Sequence, residues 1–150
     1  MARFIRPYKV RFEDCDSAGI VFYPQFVLMA QRVFEDWFGE GLDISMRRLH
    51  HDMKMGFPIV NLQVDFKKPS RMEDVLDWSL EVRRLGTKSL TLDIAAGCAG
   101  EERVAVKLTV VCSDLVADGL ASREIPADLR AEMEKFRVPD RLKLAGPLSP

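Results

Sequence analysis

The chain is poor in the residues that most often announce a special chemistry. It has three cysteines and two histidines in 150 residues. Cys15, Cys98 and Cys112 are scattered and form no Cys-x-x-Cys pair. That spacing speaks against a disulfide framework and against a thiolate zinc site, and all three are expected to be reduced thiols. Cys15 has no histidine near it in sequence to activate it as a nucleophile. His50 and His51 have no recognisable companion ligands, so no metal or redox cofactor is implied and they receive no role. No apolar run approaches the ~20 residues needed to span a bilayer, so no membrane insertion is expected. The stretch Met1-Ala2-Arg3-Phe4-Ile5-Arg6 lacks the apolar core and cleavage site of a secretory signal, which makes a cytoplasmic location the default expectation. The net charge is only -1, so no global field favours nucleic acid as a partner. Internal repeats and low-complexity segments are also missing.

What remains is an ordinary globular composition, 47% hydrophobic and 30% charged, at the length of one domain. The expected division is a single domain over residues 1–137 and a flexible tail over 138–150, where Pro139, Gly146, Pro147 and Pro150 fall. Apolar alternation predicts a half-buried strand from Tyr8 to Glu13. A helix is predicted from about Pro24 to Phe38. Its Phe26, Met29, Ala30, Val33, Phe34, Trp37 and Phe38 form a broad apolar face, and Gly39 and Gly41 end it. Ile44 to Met55 is a short helix or a loop. Period-two patterns then predict strands at Val60–Phe66, Leu76–Val82, Leu90–Ala96 and Val104–Cys112, joined by turns that favour antiparallel pairing. Pro126 opens a last helix to about Phe136. The sum is an α+β fold of about five strands and one long helix, with the strand order left open by pattern alone.

The most informative stretch is Asp14-Cys15-Asp16-Ser17-Ala18-Gly19-Ile20-Val21-Phe22-Tyr23-Pro24. It sets a carboxylate in a glycine-bearing loop just before an apolar helix. An acid, free backbone N–H groups and a helix N-terminus can then surround one small volume, which suits chemistry that builds negative charge on a carbonyl oxygen. A turn aspartate that only accepts backbone N–H bonds would look the same. So would a Gly19 needed only for its positive φ.

This stretch resembles the Asp-x-Asp-x-x-Gly-x-x-x-Tyr-Pro motif of the 4-hydroxybenzoyl-CoA thioesterase family of hotdog-fold proteins. The resemblance runs from about Tyr8 to about Phe136 and is supported by Phe57-Pro58-Ile59-Val60, the Phe66-to-Val75 connection and Lys88-Ser89. It implies the hotdog fold, with the sheet curled around the central helix. It also implies a homodimer or homotetramer with active sites at the subunit interface. The implied activity is hydrolysis of an acyl-CoA thioester, with coenzyme A part of substrate and product. An aromatic acyl group such as 4-hydroxybenzoyl or benzoyl is favoured, and a short- or medium-chain aliphatic acyl-CoA is the alternative.

The implied roles follow residue by residue. Asp16 attacks the thioester or activates water, while Asp14 shapes the loop. Gly19 lets substrate approach the backbone, and the Tyr23 N–H polarises the thioester oxygen, since Pro24 has none to give. Lys88 and Ser89 lie beside the nucleotide of coenzyme A, with Arg83 and Arg84 displaced upstream of the position that arginines take in some members. A well-known 4-hydroxybenzoyl-CoA member has an aspartate facing the substrate hydroxyl where this chain has Gln31. Phe57, Pro58, Ile59 and Val60 resemble the strand that shapes the aromatic pocket. A hotdog dehydratase would be expected to carry a histidine in the loop, and none occurs between Met1 and Leu49. A non-catalytic acyl-CoA-binding module would tolerate loss of the carboxylate that this chain keeps at Asp16.

Overall fold

The computed structural model describes residues 3–138. The expected tail therefore lies, apart from Val138, outside the described residues. In chain order the elements are β1 (Phe4–Lys9), α1 (Tyr23–Asp36), β2 (Met55–Gly56), β3 (Ile59–Phe66), β4 (Val75–Leu85), β5 (Ser89–Cys98), β6 (Glu101–Val111), β7 (Ser113–Val116), β8 (Gly119–Ser122) and α2 (Ala127–Glu134). A five-stranded antiparallel sheet has the order β1-β4-β5-β6-β3. The predicted α+β class and the four strands predicted between Val60 and Cys112 are found in the structure, as β3 to β6.

α1 packs its expected face onto this sheet. Trp37, Phe38, Met29, Val33 and Phe34 are buried against Leu76, Trp78, Leu80, Leu92, Ile94 and Val106. Full burial of one large apolar side chain contributes roughly 1.5–3 kcal/mol, so this face alone can hold the helix in place. The helix does not stop at Gly39. It loosens into a π turn over Trp37–Gly41. Gly41 is needed there because a Cβ would lie 2.6 Å from the Trp37 ring.

Three expectations need correction. The first strand spans Phe4–Lys9, not Tyr8–Glu13, and the chain leaves it as a 3-10 turn over Phe12–Asp14 that exposes 81% of Phe12. Its half-buried positions are Phe4, Arg6 and Tyr8, and an inward arginine hides the strand from a search for apolar alternation. The second concerns the small sheet β2-β7-β8, which was not anticipated. The third concerns β3. Its alternation is present, yet Ile59, Val60, Leu62 and Phe66 all stay exposed, because α1 lies on β4, β5 and β6 and leaves the faces of this edge strand largely uncovered.

The two sheet edges differ. β1 carries Arg6, Pro7 and Lys9, features that discourage further strand pairing. β3 reads Ile-Val-Asn-Leu-Gln-Val-Asp-Phe, with one charge and no proline. It is the edge open to pairing.

Candidate active site

The motif folds as a tight loop between β1 and α1. Its stems are joined where the Phe22 N–H donates to the Asp14 carbonyl (2.9 Å) and where Cys15 pairs with Val21. Asp14 is buried, and its Oδ2 accepts the Arg11 N–H at 2.8 Å. That is the loop-shaping part expected of it. Asp16 sits at the centre of the exposed turn. Its N–H donates to the Ile20 carbonyl (3.0 Å), its carbonyl accepts the Gly19 N–H (3.0 Å), and its Oδ1 accepts the Ala18 N–H (2.9 Å). One carboxylate oxygen thus fixes the turn. The other, Oδ2, has no partner among the described residues. Gly19 takes φ +79, which side chains resist, and open space lies where its Cβ would be.

α1 begins at Tyr23, with Phe22 in extended geometry as its cap and Pro24 in the first turn. The Tyr23 N–H has no acceptor among the described residues, as befits the first position of a helix. It emerges from the same loop as the free Asp16 oxygen. The Tyr23 ring is 63% exposed and packs edge-on against Phe66 at 6.0 Å. This loop therefore lies at the Phe66 end of the open β3 edge.

The predicted acyl-pocket residues divide. Phe57 is buried, with its ring 5.1 Å from that of Phe38, so it belongs to the core behind any pocket. Ile59 and Val60 are exposed on the open edge, and Pro58 is half-buried. Gln31 is half-buried on the flank of α1 that also carries Val27. On the opposite flank, β1 and α1 enclose a cleft of about 380 Å³ lined by Arg6, Pro7, Tyr8, Arg32, Val33, Glu35 and Asp36. Its charges are answered locally: Arg6 pairs with Asp36 and Glu40, and Arg32 donates to the Tyr8 hydroxyl. It contains none of the motif residues.

The predicted coenzyme A residues are not brought to Asp16 within one chain. The motif loop is tied to the start of β4, where the Val10 N–H donates to the Asp74 carbonyl. Arg83, Arg84, Lys88 and Ser89 lie at its other end. An 11-residue strand separates the two, a span of roughly 33 Å. Arg83 is already paired with Asp93 at 2.7 Å. Burial nevertheless lifts the Asp93 carboxyl above its usual range, the opposing pull of Arg83 being smaller. Arg84 and Lys88 are exposed. The Lys88 turn is firmly held, because Arg130 donates to the Gly86 carbonyl and the Ile125 N–H to the Thr87 carbonyl.

Two of the three thiols, Cys15 and Cys112, are held in the protonated form more firmly than a free cysteine. Burial, reinforced by Asp14 and Asp16, raises the Cys15 thiol, and burial pushes Cys112 up to about 11. Among the described residues no group of three or more His, Cys, Asp or Glu could hold a metal ion, and no helix is long and apolar enough to cross a membrane.

Residues 10–139 match the family model described as the Thioesterase-like superfamily. The chain belongs to this superfamily. Among curated relatives, a 1,4-dihydroxy-2-naphthoyl-CoA hydrolase from Nostoc punctiforme is 29% identical over 129 residues, covering 85% of this chain and 84% of its own. A gentisyl-coenzyme A thioesterase of known structure is 29% identical with a TM-score of 0.75, over 84% of this chain and 98% of its own. A 1,4-dihydroxy-2-naphthoyl-CoA thioesterase from Synechocystis superposes with a TM-score of 0.80 over 92% of this chain and all of its own, 100%, at 20% identity. The sheet wrapped on α1 is thus the hotdog fold, as expected, and membership of the superfamily makes this chain a thioester hydrolase. The match is to the superfamily, which is broader than the 4-hydroxybenzoyl-CoA family that the motif resembles.

The Phe66-to-Val75 connection, which in the sequence only supported the resemblance, holds the motif loop through residues 70–74, and Arg103, to which no role was given, holds that connection. No spacing marks them, because their connection to the loop exists only in three dimensions.

Proposed function

We propose that this superfamily member hydrolyses acyl-CoA thioesters whose acyl group is a hydroxylated aromatic ring. The observation that carries the reading is the pairing of a free Asp16 Oδ2 with an unpartnered Tyr23 N–H across one loop. The carboxylate attacks the thioester carbonyl, or removes a proton from the water that does. The Tyr23 N–H and the positive end of α1 stabilise the oxyanion that forms. In the first course coenzyme A is expelled as the carboxylate forms a mixed anhydride, which water then hydrolyses to release the acid and restore Asp16; in the second, water adds to the carbonyl and collapse of the adduct expels coenzyme A and leaves the acid directly. In both, one water is consumed and its proton ends on the coenzyme A thiol. The relatives named for naphthoyl-CoA and gentisyl-CoA support a ring-bearing acyl group. 4-Hydroxybenzoyl-CoA is a singly hydroxylated, one-ring member of that class and benzoyl-CoA its unsubstituted control.

The site is completed by a second copy. Two-fold antiparallel pairing of β3 sets Ile59 of one copy beside Phe66 of the other. Ile59 pairs with Val110, and its neighbour Val111 pairs with Ser89. The pairing therefore swings the Lys88 turn of one copy to the Asp16 end of the other, and it covers the exposed Val60 and Leu62. Lys88 and Arg84 then supply cations for the phosphates of coenzyme A, while Gln31, Ile59 and Val60 line the acyl pocket.

Thioester cleavage, followed as free thiol across naphthoyl, gentisyl, 4-hydroxybenzoyl, benzoyl and aliphatic acyl-CoA esters, tests the reading. Hydroxylated aromatic esters are expected to lead. Asp16→Asn should lower kcat at least about a hundredfold while leaving the fold intact. A folded Asp16→Asn protein with normal turnover would overturn the mechanism. An aliphatic ester hydrolysed best would overturn the substrate class.

A further inference from the structure

The motif loop does not hold itself in place. The connection between β3 and β4 clasps it on both sides. Before the loop, the Val10 N–H donates to the Asp74 carbonyl and the Val10 carbonyl accepts the Glu73 N–H, both at 2.8 Å. After the loop, the Val21 N–H donates to the Ser70 carbonyl at 2.8 Å, and Ile20 bridges to Arg71. A shift of residues 70–74 therefore moves both stems of the loop that carries Asp16.

What fixes that connection is one side chain on β6. Arg103 Nη1 donates to the Pro69 carbonyl (3.2 Å), to Ser70 Oγ (3.0 Å) and to Asp74 Oδ2 (2.9 Å). The Arg103 carbonyl accepts the N–H groups of Lys67 (2.9 Å) and Lys68 (3.2 Å). Its Nε lies 2.9 Å from Glu101 Oε1, at an angle that gives an ion pair without a hydrogen bond. Only 11% of the Arg103 side chain is exposed, and Ser70 is fully buried. Ser70 is the junction: its hydroxyl meets Arg103 and its carbonyl meets the loop. A charge this enclosed is held by its partners, which are mutually oriented in return.

We propose that Arg103 is a positioning residue for the thioester hydrolysis, acting on Asp16 through Ser70 and Asp74 without touching substrate. The proposal rests on Asp16 being the catalytic carboxylate. Its physical basis is that attack on a carbonyl tolerates little displacement of the attacking group. An error near 1 Å costs about a hundredfold.

All three side-chain hydrogen bonds leave one nitrogen, so a lysine Nζ can serve the same acceptors and a methionine can serve none. Arg103→Met should lower kcat about ten- to a hundredfold with KM within about threefold, and Arg103→Lys should lie between the variant and wild type. Amide hydrogen exchange at Val10 and Val21 should quicken in Arg103→Met, while Leu92 on β5 keeps its protection. Where Arg103→Met fails to fold, Ser70→Ala removes one acceptor and decides the matter by the same two readouts. A folded variant with normal kcat, or with unchanged exchange at Val21, overturns the proposal. If the wild-type protein cleaves no thioester, the function reading fails, and the exchange measurement still reports whether Arg103 holds the loop.

Discussion

Placing Asp16 and Lys88 at opposite ends of β4 makes a complementation experiment decisive. Within one chain they are separated by the 11 residues of that strand, roughly 33 Å of extended backbone. If each site takes Asp16 from one copy and Lys88 from the other, two defective chains can make one sound site. Asp16→Asn alone should lose at least about a hundredfold in kcat/KM. Lys88→Ala should lose about tenfold or more through a missing contact to phosphate, seen as a higher KM for every ester. The two chains are unfolded together and refolded at equal concentration, so that about half of the two-fold dimers are mixed. In each mixed dimer one site keeps both wild-type residues and the other has neither. About a quarter of all sites are then intact, and the mixture should show about a quarter of wild-type kcat/KM. Sites confined to single chains would give only the average of the two variants, about one-twentieth of wild type or less. Initial rates at substrate far below KM distinguish these outcomes. A mixture no better than that average, with mixed dimers shown to have formed, refutes the shared site.

Leu62→Lys on the open edge should leave the isolated fold within about 0.5 kcal/mol of wild type, because Leu62 is already 43% exposed. In a two-fold pairing the change occurs twice and forfeits about 2 kcal/mol of burial, a weakening of roughly thirtyfold or more. Sedimentation velocity over a dilution series reads it, and an unaltered assembly would remove β3 from the interface. The Asp74 carboxyl is held below its usual range, first by the Arg71 N–H and then by the Arg103 hydrogen bond. A depressed folded pKa gives stability that is fully present above about pH 4, the unfolded value, and is lost as pH falls through the folded one. The stability gap between wild type and Asp74→Asn should therefore be constant from neutral pH down to about pH 5 and close below about pH 4. Denaturation curves showing the same gap in acid would contradict this.

Much of the fold was legible because its elements repeat regularly. The seven buried aromatic and aliphatic side chains from Phe26 to Phe38 mark α1 and the start of its π turn at helical spacing, and β4 to β6 alternate cleanly. β1 was displaced because Val10 and Phe12 continue an apolar alternation that the backbone abandons at the turn, while the inward Arg6 breaks the pattern where the strand lies. The hairpin of β7 and β8 did carry a signal, Asp118-Gly119 between apolar pairs, and Gly119 takes φ +134 there. The motif loop could be located from its residue types. That the Lys88 turn lies at the far end of the sheet could not, because strand order and direction were open. Nothing in the sequence sets Arg103 apart from the neighbouring charges Glu101 and Glu102. The role proposed for it depends on a connection about thirty residues earlier in the chain folding back over it.

The open β3 edge has a consequence for how such a protein changes over generations. Ile59 and Val60 would serve two recognitions at once, one of an acyl group and one of an identical chain. A substitution that reshapes the pocket then also alters how tightly copies hold each other. Variation in substrate preference is channelled toward residues free of that second duty, and Gln31, on the helix, is one of them. A library confined to β3 would enrich assembly defects, whereas one confined to the helix flank would sample acyl groups with the pairing of copies intact.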